Sequence, residues 1–238
     1  VYEAAKALAA KRTVPFSFGV FQGGAYDGAL YGKAKEAGFS LATVLPGWAW
    51  CDLAMGKTRG QIDGTLGVSA LRAQGFDVKV HGAVWLQGLG ILPERASAMA
   101  DAELREAMVA QLSGLLTMFG EEIELWEAIN EPANVNTVGM APDEVWRLAR
   151  EAAAAVKAAG KRSLINNGHE ADYGNMYGLY RLDGAPVTAE KRSYLAWLDE
   201  AKANGVLEGF DVIGLQFYPG AHLGERLGGV QGPCMTPA

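Results

Sequence analysis

Apolar and polar positions divide the chain into short apolar runs separated by longer stretches of helical period. The runs "TVPFSFGV" (13–20), "FSLATVL" (39–45), "FDVKVHGAVW" (76–85), "EIELWEAIN" (122–130), "RSLINN" (162–167) and "FDVIGLQFY" (210–218) have strand length, and most are apolar on both faces. Helices are predicted between them: around 28–37, near 66–74, over 101–119, from Pro142 to a stop at Gly160, and from Thr188 to about Asn204. The 101–119 stretch places Leu104, Met108, Leu112 and Leu115 close to a helical period, and Pro142-Asp143-Glu144 is the kind of opening that a helix N-terminus prefers. Alternating strand and helix, with strands buried on both sides, predicts an α/β fold with a parallel sheet covered by helices. No linker or compositional break divides it, so one domain over 1–238 is expected. The strands start about 39 residues apart, a spacing that six-stranded open sheets and eight-stranded barrels share.

Composition narrows the function classes. With 238 residues, 50% hydrophobic content and a net charge of −6, the chain reads as globular and carries no basic field for a nucleic-acid backbone. No run of about 18 apolar residues occurs, so no membrane span is expected, and no leader pattern follows Val1. The start without Met and the Gly/Pro-rich end after Gly228 read as those of a processed or cut chain. Cys51 and Cys234 allow one disulfide by arithmetic without requiring it. His81, His169 and His222 lack HExxH spacing and a cysteine cluster, so neither a metal nor another cofactor is expected. "GLGILP" lacks the third glycine of a nucleotide fingerprint, and no serine sits in a nucleophile-elbow context.

The polar residues of interest collect at the C-terminal ends of the strands, where parallel α/β folds build their sites. They are His81, Trp85 and Gln87 with the third strand, Asn130 and Glu131 with the fourth, Asn166, Asn167, His169 and Glu170 with the fifth, and Gln216 and Tyr218 with the sixth. Trp48, Trp50 and Tyr173 add aromatic surface. Such a rim suits a sugar polymer: CH-rich ring faces stack on Trp and Tyr, while amides, imidazole and carboxylates bond the hydroxyls. Other readings compete at several positions. Trp126 falls early in its strand and reads as core; His81 suits a structural bond to a neighbouring carboxylate as well as it suits a ligand; Trp48 and Trp50 suit a lid over the end of the sheet.

"LWEAINEP" resembles the fourth-strand signature of the retaining β-glycosidases built on (β/α)8 TIM barrels, in which Asn-Glu closes the strand. "VKVHGAVW" is similar to the third-strand motif of glycoside hydrolase family 10, and "FDVIGLQFYPG" to its sixth. The resemblance covers nearly the whole chain in order. It implies a barrel of which about six of eight β/α units are present, and hydrolysis of β-1,4 bonds in a plant-type glycan such as xylan. Glu131 would be the general acid/base and Asn130 would bind the sugar 2-hydroxyl. His81, Trp85, Gln216, Tyr218, Trp48, Trp50 and Asn167 would bind substrate. No cofactor is implied, a full-length member would be a monomer, and polymer-degrading members are often secreted or periplasmic. Gly47 and Ala49 stand where the family has Asn and Lys, Trp85-Leu86 replaces its Trp-His, and its nucleophile, a Glu closing the seventh strand, is expected beyond residue 238. Glu170 and Glu225 match no family position. Two alternatives stay open: a non-catalytic carbohydrate-binding relative, and a doubly wound enzyme that uses the same end of its sheet.

Overall fold

A computed structural model describes residues 17–21, 25–88, 90–133, 135–168 and 194–216. Six strands form one sheet: β1 (Gly19–Phe21), β2 (Leu41–Val44), β3 (Asp77–Val80), β4 (Leu125–Asn130), β5 (Arg162–Gly168) and β6 (Val212–Gln216). Every neighbouring pair is parallel, and the spatial order is β1-β2-β3-β4-β5-β6. A doubly wound sheet reverses its order at a switch point, whereas a barrel adds each new strand beside the last. The unbroken order, curled into a half-barrel with alternating helices, removes the doubly wound alternative.

The connecting helices are α1 (Gly28–Glu36), α2 (Arg59–Leu66), α3 (Val68–Ala73), α4 (Asp101–Phe119), α5 (Pro142–Ala158) and α6 (Tyr194–Ala203). Their ends follow local chemistry. Asp27 caps α1 by accepting from the amides of Ala29 and Leu30, and Thr58 and Gln61 form a reciprocal capping box on α2. The helix expected near 66–74 forms as α3, and α2 stands before it where no helix was expected. Gly67, at φ 71°, ends α2 in the left-handed conformation and opens α3, and a Cβ there would stand 2.3 Å from the Tyr26 ring. The helix predicted over 101–119 forms with those bounds, and Leu104, Met108, Leu112 and Leu115 are buried. None of the described helices is long and apolar enough to cross a membrane.

The core lies between the helices and the outward side of the strands, where Ala42, Val44, Val78, Val80, Trp126 and Ile165 are buried together with the apolar faces of α4 and α5. Trp126 is core, as its early place in the strand suggested, and its indole Nε1 donates to the Ile123 carbonyl at 3.0 Å. Polar contacts tie the helix layer together: Arg105 of α4 bonds Glu144 and Glu151 of α5, and Trp146 Nε1 donates to Glu200 of α6 at 3.1 Å. The opposite side of the sheet is the concave interior. Alternation sends Lys79, Glu127 and Asn166 to it, and their side chains meet there.

Candidate functional site

The predicted strand 76–85 divides in two, and the division builds the site. β3 ends at Val80, Gly82 turns the chain at φ 57°, and residues 83–85 return to pair with β4. The Ala83 amide donates to the Glu127 carbonyl, and the Asn130 amide to that of Val84. Trp85 thereby forms an isolated bridge with Asn130. A Cβ on Gly82 would sit 3.3 Å from that of Asn130, so a side chain at the kink would crowd the site amide.

A second irregularity aims the polar side chains of β4. Glu127 pairs with Leu164, but Ile129 pairs with Ile165 and Asn130 with Asn166, so one residue of β4 is extra. Strict alternation would put Glu127 and Asn130 on opposite faces; the bulge puts both on the interior.

Glu127 is wholly buried and is the hub of this face. Its Oε2 accepts from Lys79 Nζ at 2.8 Å, its Oε1 from Asn166 Nδ2 at 2.9 Å, and His81 Nδ1 lies 3.0 and 3.1 Å from the two oxygens. Burial pushes the Glu127 carboxyl upward, but the hydrogen bond from His81 and the charge partners His81 and Lys79 together outweigh it and hold the group below the usual carboxylate range. His81 in turn packs against Phe21, edge-on at 5.4 Å, and Trp85, tilted at 5.7 Å. Phe21 is 48% exposed, the most open aromatic beside the imidazole.

Glu131 follows at the end of β4. Among the described residues it is the one non-glycine with positive φ, at 51°, and it is buried. Its amide donates to the Asn166 carbonyl, its carbonyl accepts from the Val135 amide, and Asn130 Nδ2 lies 3.4 Å from its Oε2. Left-handed backbone costs a residue with a Cβ about 1–2 kcal/mol, and such strain clusters at functional sites.

The remaining sequence-predicted residues fall in different places. Asn130, Glu131, His81 and Trp85 come together at the C-terminal ends of β3 and β4. Asn167 is buried on the face opposite Asn166, turned to the helices by alternation. Trp48 is buried in the neighbouring loop, where Nε1 donates to Asp52 at 3.2 Å and the Arg95 guanidinium lies 5.3 Å over the ring. Arg95 also pairs with the Asp52 carboxylate, and although burial alone would raise that carboxyl, the Arg95 bond and charge hold it low. Trp50 is half-buried and packs over Gly47. The Gln216 backbone pairs with Gly168 at the end of β6. The Gln216 side chain, Tyr218, Tyr173, His169, Glu170, His222, Glu225 and Cys234 lie outside the described residues. Among the described residues no group of three His, Cys, Asp or Glu side chains could hold a metal ion.

Sequence reasoning overlooked Glu127, Lys79 and Phe21 as site residues. The signal for the first two was present: a Glu inside an otherwise apolar strand, and Lys79 and His81 spaced to share a face of the next.

The fold and this face define an open (β/α) barrel with a polar, aromatic-flanked interior at the C-terminal ends of its strands. No protein-family profile matches the chain, and no curated protein matches it. Solved structures do. Xylanase B from Clostridium stercorarium F9 matches with TM-score 0.54 and 13% identity, over 85% of this chain and 62% of that one. A GH10 protein from Paenibacillus barcinonensis matches with 0.57 and 12%, over 85% and 60%, and xylanase 10B from Thermotoga maritima with 0.57 and 16%, over 90% and 64%. The likeness is one of fold, and this chain spans less than two thirds of the length of each of the three.

Proposed function

We propose that the chain carries the acid/base half of a site that hydrolyses β-1,4-linked glycans, xylan among them, with retention of configuration. Glu131 is the proton donor to the leaving oxygen and then the base toward water, Asn130 holds the sugar beside it, and His81 and Trp85 shape the adjoining subsite. The observation that carries this reading is Glu131 itself, a buried carboxylate held in strained backbone at the C-terminal end of a barrel strand, with Asn130 alongside. The fold likeness to xylanases supports it. A retaining site needs a second carboxyl about 5 to 5.5 Å from the first. That nucleophile is expected outside the described residues, as the seventh-strand Glu of the resemblance.

A general acid leaves a specific kinetic mark. In a full-length protein that carries both carboxyls, replacing Glu131 by Ala should lower hydrolysis of xylan about 10²–10⁴-fold, and hydrolysis of an aryl glycoside whose phenol leaves unprotonated far less. Equal loss on both substrates would reject the acid role.

The binding of Glu127 by Lys79, His81 and Asn166 favours a second reading, a carbohydrate-binding relative, because this carboxylate is already engaged and is unsuited to attack a sugar. Calorimetric titration with xylo- and cello-oligosaccharides, run beside reducing-sugar release, separates the two. Turnover rejects the binder, and binding without turnover in a full-length protein supports it.

A further inference from the structure

The register of the first three strands settles which way Phe21 points. Val20 pairs with Ala42, a core residue, and packs against the same core. Phe21 pairs with Thr43, and Thr43 with Lys79, whose Nζ reaches Glu127 in the interior. Alternation therefore sends the phenyl ring to the concave side, where it meets the His81 imidazole with the two planes 65° apart. The contact is edge-wise and not a stack, and 48% of the residue stays open. Gly19, two residues earlier on the same face, contributes no side chain to cover it.

The neighbouring end of β2 has little to offer a hydroxyl. From Val44 to Ala49 no side chain has a hydrogen-bonding group left to give: Leu45, Pro46 and Gly47 carry none, and the Trp48 indole is buried and donates to Asp52. The interior is thus two-sided, with an open phenyl ring at β1 and imidazole, amide and carboxylate at β3 to β5. A β-linked xylose or glucose ring is two-sided in the same sense. Its hydroxyls are equatorial and lie around the rim, and its faces are C–H groups suited to an aromatic surface. We propose that Phe21 is a stacking platform for a pyranose ring in the subsite that His81 borders. The ring lays a C–H face on the phenyl group and turns its rim hydroxyls to the polar side. The choice of ligand rests on the proposed function; the orientation of Phe21 does not.

Phe21→Leu keeps an apolar side chain and removes the ring, whereas Phe21→Tyr keeps the ring. In a full-length protein, calorimetric titration with xylohexaose should show about 3–10-fold weaker binding for the leucine variant, the worth of an aromatic stack beyond plain burial, and binding within about twofold of the parent for the tyrosine variant. Contact is read directly in protein labelled with ¹³C in its phenylalanine rings. The ring signal missing from Phe21→Tyr should show nuclear Overhauser effects to C–H protons of bound xylohexaose. Three results overturn the platform and leave the proposed function standing: a leucine variant that binds as tightly as the parent, a tyrosine variant weakened as much as the leucine one, or a Phe21 ring without such effects in the saturated complex. Should Phe21→Leu lose its fold by circular dichroism, the Overhauser measurement on the parent decides. A parent that binds no xylohexaose overturns the platform and the proposed function together.

Discussion

Replacing Lys79 by Met tests the hub without opening a cavity, because the unbranched thioether fills much of the volume of the lysine stem. It removes one charged donor from a carboxylate that is wholly buried, and leaves the donors on His81 and Asn166 in place. Removing one partner of a buried ion pair costs about 3–5 kcal/mol when the other is left uncompensated. Here two donors remain, and the lysine side chain is itself 17% exposed. The expected loss is therefore the worth of one hydrogen bond to a charged group, about 1.5–3 kcal/mol. For a chain of this size that corresponds to a melting temperature lower by roughly 3–12 °C. The pH dependence carries a sign. The Glu127 carboxyl is held below its ordinary value in the folded chain, so its contribution is complete above that ordinary value and is lost as pH falls through the folded one. The difference between parent and variant should accordingly be full at neutral pH and shrink in acid below the usual carboxylate range. Urea unfolding followed by far-ultraviolet circular dichroism at a series of pH values measures it. A loss under about 0.5 kcal/mol at neutral pH, or a loss that persists undiminished in strong acid, would refute the reasoning.

Three further outcomes follow from packing. Gly214→Ala brings a Cβ to within 2.9 Å of that of Asn166 across β5 and β6, so it should cost about 1–3 kcal/mol in urea unfolding and displace the Asn166 amide from Glu127, read from its side-chain NMR signals. Gly67→Ala places a methyl group 2.3 Å from the Tyr26 ring at a backbone angle suited to glycine, and should cost more than the roughly 1 kcal/mol of the backbone term alone; an unchanged melting temperature would count against the α2–α3 junction as described. Burial pushes the Cys51 thiol up to about 12, so iodoacetamide at pH 8 should leave this cysteine unlabelled in the folded chain and label it in urea, as read by peptide mass mapping.

Much of the fold was legible because its signals are local. The α4 period at Leu104, Met108, Leu112 and Leu115, the Pro142 opening of α5, and the apolar runs at 39–45, 122–130 and 162–167 each report on a few neighbouring residues, and each holds the expected element. The helix near 66–74 was legible and formed as α3, whereas α2 was not, because Arg59–Leu66 carries only Ile62 and Leu66 as buried apolar positions among two glycines. Left-handed Gly67 separates the two helices, and Tyr26, some forty residues earlier in the chain, packs where a side chain would stand. The same contrast holds at the site. Asn130 and Glu131 could be picked out as polar residues closing an apolar strand, whereas Glu127, though marked as a carboxylate inside one, meets its partners on β3 and β5 only through strand pairing.

The order of elements, the α/β class and the clustering of polar side chains at strand ends are thus determined by the sequence itself, because helical and strand periods and turn residues act over short stretches of chain. Tertiary structure alone decided that the sheet follows a barrel order and not a doubly wound one, since spacing is common to both and only long-range pairing distinguishes them. It also turned Asn130 to the same face as Glu127, because a single extra residue in β4 resets its register against β5. And it made Glu127 the hub of the site, because whether a buried carboxylate is tolerated depends on donors that neighbouring strands bring to it, and those donors lie 48 and 46 residues before it and 39 after it in the sequence.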